Sequence, residues 1–436
     1  RDRLRSRGLG DVYKRQKELF GKSDKKSDRA IWGIIIVLFM VSIVEVFSAS
    51  SREISGGRIY EPILGHVTHL GIGLVLILLF ERIHYKHLRL LTVVAVVGSL
   101  VLLVWTLLGG AVVNGAKRSV RILGHLVQTV DFAKLSLVLF LALVLAMTQE
   151  KKGVSNDGVK WCAGVVLLFC ALLLPQGLTN TLLMMAISLS MMLVGGVQFK
   201  KWFLVIGVYL VLAVAAYGVN ELVHDSIAEE QVLTEGDKSG TGLRSVTWST
   251  RMKEFFGDGT PEYEKQINDR NRQSHYAAMA VAHGGFFGVM PGNSREVSRL
   301  PLAFSDFIYA IIIEEFGLLG GIILLATYLF LLIRAGMIAY KCKKAYPALL
   351  IVGLALMITL QALANMAIAV GLVPVSGQPL PLISKGGMSI CITCIALGIM
   401  LSVSRNATKE SNDQIKGVSE SGLPEDLQAS NPTGIK

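Results

Sequence analysis

Charged residues are scarce in this 436-residue chain, since Asp, Glu, Lys and Arg make up 17% of it, against about 25% in soluble domains. Hydrophobic residues make up 52%, and the mean hydropathy is +0.54. This composition excludes a disordered chain and an ordinary cytosolic enzyme. Cysteine is also scarce, with five residues in the whole chain, which excludes a disulfide-rich secreted scaffold. The composition indicates a membrane protein with several spans.

Two of the cysteines, Cys391 and Cys394, form a CxxC pattern inside an apolar run. A zinc site needs about four ligands, and the sequence offers no second ligand cluster to complete one. We therefore interpret the pair as small apolar residues on one helix face. A redox or metal-binding pair is the alternative.

Ten apolar runs have about the length that a membrane-spanning helix requires. They cover residues 30–50, 62–80, 89–109, 132–148, 160–175, 181–197, 202–220, 307–333, 347–373 and 387–403. The sequence thus predicts an all-α integral membrane protein with about ten transmembrane helices. A long extracytoplasmic loop, residues 221–305, is expected between helices 7 and 8.

The basic residues indicate the orientation of these spans. The net charge is +11, but the Lys and Arg residues are spread over short loops, which argues against a nucleic-acid partner. Alternate turns, such as those with Lys151 and Lys152 or with Lys200 and Lys201, hold most of them. The positive-inside rule then predicts that both termini are cytoplasmic.

The chain divides into three parts. Residues 1–29 are expected to form a cytoplasmic N-terminal segment, in which we interpret Arg1–Gln16 as a remnant of cloning or sequence assembly because it is basic and patternless. Residues 30–403 are the membrane domain. Residues 404–436 are polar and rich in Ser, Asn, Gly and Glu, which predicts a disordered cytoplasmic tail.

Two outer segments carry more cations than the rule allows. The short turn at 110–131 holds Lys117, Arg118 and Arg121, and the long loop holds several arginines, including Arg251. A binding site for a phosphate or an anionic lipid headgroup would explain the short turn. A solvated turn whose side chains reach into water is the alternative.

Ionisable residues at membrane depth are costly and often functional. Lys134 lies inside the fourth span, Asp306 at the mouth of the eighth, and Glu314 and Glu315 two to three turns further along. Asp306 and Glu314 are spaced to share a face if both are helical, so we expect them at one polar cavity that opens outward. The alternatives are a helix cap for Asp306 and a structural hydrogen bond for the glutamates.

Glycine and proline concentrate in two outer segments, GGFFGVMPGNS at Gly284–Ser294 and PVSGQPLPLISKGG at Pro374–Gly387. Irregular backbone at membrane depth is tolerated only where protein or a water-filled cavity covers it. Glycine-rich segments can also present backbone N–H groups to phosphate.

The order of these motifs, with NGAKRSVRILG-HLVQTVDFAK before them and LPLAFSDFIYAIIIEEFGLLGG between them, resembles the SEDS family of bacterial cell-wall polymerases, the group of FtsW, RodA and SpoVE. The resemblance covers about residues 30–403. It implies a peptidoglycan glycosyltransferase in the bacterial cytoplasmic (inner) membrane, which joins lipid II disaccharides on the outer face. It also implies a class B penicillin-binding protein and divisome proteins as partners, beside membrane lipid.

The resemblance further implies roles for individual residues. The essential Asp of the family lies in a TDF motif that matches Ser305-Asp306-Phe307, so we expect Asp306 to act as the general base of an inverting transfer. Inversion with a pyrophosphate leaving group needs one base and cations, without a second carboxylic acid. The expected substrate contacts are Lys117, Arg118, Arg121, Gln128, Lys134, Arg251, Asn293, Glu314, Ser384 and Lys385. A divalent cation at the pyrophosphate is left open, and no protein metal site is expected.

Several family positions differ in this chain. Ser119 replaces a common Trp, Thr129–Asp131 replaces Pro-(Ser/Ala)-Glu, Gly177 replaces an Asp, Leu302 and Phe304 replace a Glu and a His, and Lys385 replaces a Tyr. The pattern is closest to a divergent FtsW, which favours a role in septal wall synthesis. Two other functions stay open, a lipid II flippase and an inactive scaffold for a cross-linking partner. The absence of an internal repeat argues against a transporter, and the retained Asp306 argues against a scaffold.

Overall fold

The computed structural model describes residues 27–51, 60–113, 116–122, 125–151, 153–211, 267, 271–300 and 304–421, which are mostly helical. The helices are α1 Arg29–Ser51, α2 Tyr60–Arg82, α3 Leu88–Gly109, α4 Thr129–Met147, α5 Asn156–Leu173, α6 Leu178–Val194, α7 199–211, α8 Arg272–Gly284, α9 Ile308–Lys341, α10 Ala345–Ala369 and α11 Gly387–Ser421.

Eight of these helices are long and apolar enough to cross a membrane, namely α1 to α5 and α9 to α11. The predicted sixth and seventh spans correspond to α6, with 17 residues, and to α7, whose continuation lies outside the described residues. The prediction of a helical multi-pass membrane protein is confirmed. The side of the membrane on which each terminus lies stays a prediction.

The most buried spans are α4, α10 and α11, and they form the centre of the bundle. Helix α10 contacts α4, α9 and α11, while α2 lies along α11. Cys394 faces Gly73 of α2 so closely that a Cβ at that glycine would lie 2.6 Å from its Sγ. The cysteine therefore serves as a small packing residue, and it is not disulfide-bonded.

The turn at 110–131 is more ordered than the sequence predicted. Ala111–Val113 (β1), Ala116–Ile122 (β2) and His125–Gln128 (β3) form an antiparallel sheet in which β2 is central. A second, two-stranded sheet joins Gln149–Glu150 (β4) to Gly153–Val154 (β5). The fold is mostly helical, as predicted, and the sequence analysis did not identify these strands because they are too short to show a clear alternation.

Helix α11 continues without interruption to Ser421, into the polar tail that begins at residue 404. One expectation needs correction. Asp306 was expected to share a helix face with Glu314, but α9 begins only at Ile308, and Asp306 lies in the preceding turn. The helical spacing argument therefore does not apply to this pair.

Helix α9 is broken at Gly317, whose φ of 73° is outside the helical region. The N–H groups of Leu318 and Leu319 donate to the carbonyl oxygens of Gly285 and Phe286, at 3.0 and 3.3 Å. The carbonyl oxygens that they would meet in a regular helix, those of Glu314 and Glu315, accept instead from the loop after α8. The break is thus a mutual exchange of backbone hydrogen bonds between helix and loop.

At the opposite end of the bundle, the start of α1 is tied to α9. Asp28 accepts hydrogen bonds from Arg334 Nε at 3.0 Å and from Arg334 Nη2 at 2.6 Å. Its Oδ1 also accepts from the N–H groups of Ala30 and Ile31, as an N-cap does. Burial acts to raise the pKa of Asp28, but these bonds outweigh it and hold the pKa below the ordinary value of 3.8.

Candidate functional site

The half-buried Asp306 lies in the turn that precedes α9. Its Oδ1 accepts a hydrogen bond from Ser305 Oγ at 3.1 Å. The residue at the N-cap of α9 is Phe307, which makes no side-chain capping bond. The alternative that Asp306 is simply the helix cap is therefore not supported by the geometry.

Three consecutive carbonyl groups fix the backbone of this turn. Asn365 Nδ2 of α10 donates to the carbonyl oxygen of Asp306 at 2.8 Å. Ser384 Oγ donates to that of Ser305, and the N–H of Lys385 donates to that of Phe304 at 2.9 Å. We call residues 304–306 with these three donors the Asp306 turn. Its backbone is held from two elements while the carboxyl group remains partly accessible.

The segment 374–386, between α10 and α11, is irregular and mostly buried. Side chains of the surrounding helices satisfy its carbonyl groups. The donor–acceptor pairs are Asn365 to Gln378, Gln361 to Pro379, Tyr328 to Pro381 and Ser42 to Leu382. Irregular backbone at membrane depth requires this kind of cover. The Gly and Pro content of the segment predicted such cover, and these four contacts provide it.

Lys134 is almost fully buried, and its ammonium group is already paired. Its Nζ lies 2.7 Å from Asp131 Oδ1 and donates to Gln361 Oε1 at 2.6 Å. Gln361 in turn holds the carbonyl oxygen of Pro379. A cavity with room for about one water molecule lies beside this ion pair. Lys134 thus connects α4 to the segment that supports the Asp306 turn.

The side chain of Lys385 contacts the Asp306 turn. Its Nζ lies 4.5 Å from the centroid of the Phe304 ring, a distance typical of a cation–π contact. Its backbone N–H is one of the three donors to the turn. Lys385 and Ser384 are therefore both part of the candidate site by position.

The three cations of the outer turn, Lys117, Arg118 and Arg121, lie on β2. Their side chains are outside the described residues. Strand β3 pairs with β2 and leads directly into α4, with Gln128 exposed at the junction and opposite Ser119. Arg251 lies outside the described residues altogether.

Glu314 and Glu315 are buried, and both hold the loop after α8. Glu314 accepts hydrogen bonds from Ser294 Oγ and, at 2.9 Å, from the N–H of Arg295. Glu315 accepts from Ser48 Oγ of α1 and, at 3.1 Å, from the N–H of Gly292. The structure thus gives Glu314 a role in fixing this loop and does not bring it to the Asp306 turn.

Asn293 lies on the surface of the same loop. Its Nδ2 donates to the carbonyl oxygen of Val289 at 3.1 Å, and its side chain is exposed. Among the predicted residues, Ser384 and Lys385 therefore lie with the Asp306 turn, and Asn293 and Glu314 lie at the loop after α8.

Sequence reasoning did not identify Asn365, Gln361 or Asn180 as parts of the site. Asn365 and Gln361 lie four residues apart in the apolar run of α10, which places them on one face. Polar side chains in an apolar run are a usable signal. Asn180 holds Gln378 through a side-chain bond, and nothing in its local sequence indicates this contact.

Comparison with known proteins identifies a matching family. The model of the FtsW/RodA/SpoVE family, described as "Cell cycle protein", matches residues 28–409. Two relatives are each named probable peptidoglycan glycosyltransferase FtsW. The protein of Tolumonas auensis is 29% identical over 86% of this chain and 91% of its own, and that of Saccharophagus degradans is 28% identical over 89% and 95%.

Solved structures share the fold. A structure described as a peptidoglycan synthase complex that coordinates polymerization and crosslinking is similar with a TM-score of 0.62 and 22% identity. The crystal structure of the rod shape determining protein RodA of Thermus thermophilus gives a TM-score of 0.59, also at 22% identity. Each comparison covers 88% of this chain and 98% of the other.

Proposed function

The chain belongs to the FtsW/RodA/SpoVE family of cell cycle proteins, and on this premise we propose that it is a peptidoglycan glycosyltransferase. Its substrate is lipid II, and it joins the disaccharide units by inverting transfer on the outer face of the cytoplasmic membrane. Relatives that carry this activity in their names match more than four-fifths of the chain. They are the main support for the substrate class.

The proposed reaction needs one proton acceptor. The acceptor hydroxyl loses its proton to Asp306 while its oxygen bonds to the anomeric carbon of the donor sugar. The bond from that carbon to the pyrophosphate oxygen breaks on the opposite face, and the lipid pyrophosphate leaves with the electron pair. A second carboxylic acid is not required, because the leaving group is stable as an anion. Cations that stabilise this anion lower the barrier.

The observation that carries the proposal is the Asp306 turn. A general base must be held within about 0.5 Å of its productive position, and three donors hold the backbone here. The carboxyl group stays partly accessible, as a base that must meet a sugar hydroxyl requires. Geometry of this kind supports a catalytic role for Asp306 over a capping role.

Cations near this turn are proposed to bind the leaving pyrophosphate. Lys385 is suited to this task, because its ammonium group contacts the ring of Phe304 within the turn. Residues Lys117, Arg118 and Arg121, with Gln128 and Arg251, are proposed as further contacts, and so is Asn293. Ser384, Lys134 and Glu314 are proposed to act by holding backbone or neighbouring side chains in place.

A divalent cation enters no step of this proposal. Among the residues that the structure describes, no three His, Cys, Asp or Glu side chains are grouped so that they could hold a metal ion. Any such ion would be held by the pyrophosphate oxygens of the substrate.

The names of the relatives also support a role in septal wall synthesis. We propose that the chain acts with a class B penicillin-binding protein, which cross-links the product, and with other divisome proteins. The fold that it shares with a synthase complex is compatible with such a partner.

The test is polymerisation of labelled lipid II by the purified chain with its co-expressed penicillin-binding partner, whose transpeptidase is blocked. Wild type should make glycan strands, and Asp306→Ala and Asp306→Asn should lose about 10²–10⁴-fold in rate, the usual contribution of a general base. Asp157→Asn is the matched control, because Asp157 is an exposed acid on α5. It should retain wild-type activity.

Other outcomes separate the alternatives. Strand synthesis by Asp306→Asn at the wild-type rate would keep the enzyme and reject the base. If the intact wild-type complex made no strands, a lipid II translocation assay would then test for a flippase. Failure of both assays would favour the scaffold.

A further inference from the structure

Two pairs of contacts along α1 and α9 are separated by about the thickness of a membrane. Asp28 and Arg334 form an ion pair at one end of α1 and α9, and Ser48 and Glu315 are hydrogen-bonded at the other. About 20 residues of α1 and about 19 of α9 separate the two levels, which is close to 30 Å at ~1.5 Å per residue. That distance equals the thickness of the hydrocarbon core of a typical bilayer. With both termini cytoplasmic, as the basic residues predict, we assign the Ser48–Glu315 level to the outer boundary of the hydrocarbon.

The loop after α8, residues 285–294, lies at this outer boundary. Its N–H groups at Val289 and Met290 donate to the carbonyl oxygens of Glu314 and Glu315, both at 2.9 Å. The loop carries three exposed apolar side chains, with 57% of Phe286, 76% of Phe287 and 67% of Met290 accessible. Exposing these large apolar groups to water costs free energy. At the membrane boundary they can contact lipid instead.

The apolar surface continues from the loop onto the outward face of α9. Leu318, Leu319, Ile322 and Ile323 are exposed along the same span, by 41–56%. A membrane-spanning helix presents such a face to acyl chains. The loop side chains and this face meet where Gly285 and Phe286 bond to Leu318 and Leu319, so one apolar surface runs from the span to the loop.

We propose that Phe286, Phe287 and Met290 insert into the outer leaflet, at the boundary between headgroups and acyl chains, and fix the height of α9 in the membrane. Large apolar side chains such as Phe and Leu are buried at this boundary by segments that lie in the membrane interface. The backbone of the loop tolerates the location because its polar groups bond to the broken helix. We call residues 285–294 the interfacial loop.

The height of α9 also determines the height of Asp306. Ile308, at the start of α9, lies seven helical positions before Glu315, or about 10 Å along the helix at ~1.5 Å per residue, and Asp306 lies in the turn just beyond it. Under the proposed function, the sugar on the membrane-bound pyrophosphate must reach this height. This consequence rests on the proposed function, whereas the lipid contact itself does not.

The experiment measures where a nitroxide label on the interfacial loop resides. The full chain is reconstituted in lipid nanodiscs after Phe287→Cys substitution and labelling, and its collision rates with oxygen and with a nickel chelate are compared. Oxygen concentrates in lipid, and the chelate stays in water. Ile323→Cys on α9 is the lipid-facing control, and Ser298→Cys, at an exposed position beyond the loop, is the water-facing control.

The label at position 287 should collide with oxygen more than with the chelate, as the label at 323 does, and the label at 298 should show the reverse order. A label at 287 that follows the label at 298 would place the loop in water and overturn the proposal. Low collision rates with both agents would show that protein covers the loop, and would overturn it equally. Phe286→Cys repeats the test if Phe287→Cys does not fold, and wild type treated with the same reagent gives the background from the native cysteines.

These outcomes are independent of the proposed activity, because they are read without substrate. Activity assays then address the height argument. Phe287→Ser should lower the polymerisation rate in bilayers, and Phe287→Trp should retain it, because Trp keeps the interfacial preference.

Discussion

Removing the amide group of Asn365 tests whether the Asp306 turn is held by its backbone. Asn365 is fully buried in α10. Its Nδ2 donates both to the carbonyl oxygen of Asp306, at 2.8 Å, and to that of Gln378, at 2.6 Å. The substitution Asn365→Ala takes this donor from two carbonyl groups at once, while the carboxyl group of Asp306 is left unchanged.

The size of the effect follows from those two contacts. Each buried acceptor that loses its donor costs about 1–3 kcal/mol, so Asn365→Ala should lower the free energy of unfolding by about 2–6 kcal/mol. Displacement of a catalytic group by ~1 Å costs about 100-fold in rate. We therefore expect kcat to fall about 100-fold with little change in KM, because the residue holds the base and does not bind substrate.

The assay pairs thermal unfolding in nanodiscs with steady-state polymerisation of lipid II at a temperature where the variant is folded. Asn406→Ala is the matched control, because Asn406 Nδ2 donates only to its helical neighbour Ser402, to the carbonyl oxygen at 2.9 Å and to Oγ at 3.2 Å. This control should be less destabilised and keep its kcat. A folded Asn365→Ala enzyme with wild-type kcat would refute the reasoning, since the Asp306 turn would then keep its geometry without this donor.

Three further predictions rest on other contacts. Lys134→Met leaves the buried carboxylate of Asp131 without its ion-pair partner, which should lower the free energy of unfolding by about 3–5 kcal/mol. Adding Asp131→Asn should recover most of that loss in thermal unfolding, and no recovery would contradict the ion pair. Gly288→Ala should lower the melting temperature more than Gly292→Ala. Both glycines have positive φ, but a Cβ at Gly288 would lie 2.2 Å from a carbonyl oxygen of α9, whereas a Cβ at Gly292 would meet open space. Equal melting temperatures would contradict the close approach. Asp28 has a lowered pKa, so its contribution to stability is present above pH 3.8 and is lost as pH falls below it; a pH titration of unfolding should show this loss in wild type and a weaker one in Asp28→Asn.

The membrane spans could be predicted from the sequence because each is a long apolar run that no soluble fold accommodates. The small sheet at 111–128 could not, since its strands hold three, seven and four residues and pair only with one another. Short strands carry too few residues for an alternation to be read. Helix α11 extends through a polar tail to Ser421, where hydropathy has no power to distinguish helix from disorder.

The sequence predicted the charged residue of the candidate site, Asp306, but not the hydrogen-bond donors that hold its backbone. Asp306 stands out because an acid at the mouth of a span is rare. The donors that hold its turn come from Asn365 and from Ser384, which are distant in sequence, and their acceptors are backbone carbonyls that any residue would offer. Glu314 shows the converse, because a buried acid suggests chemistry but here holds the interfacial loop.

The break at Gly317 also has a consequence for motion. A helix interrupted by glycine is often a hinge, because the missing hydrogen bonds leave the two halves free to bend. Here four backbone bonds replace the missing ones, and each would have to break in an apolar environment before the angle could change. The outer half of α9, the interfacial loop and the Asp306 turn should therefore move as one rigid body. Any rearrangement that admits substrate or releases product must then arise from elements outside this body.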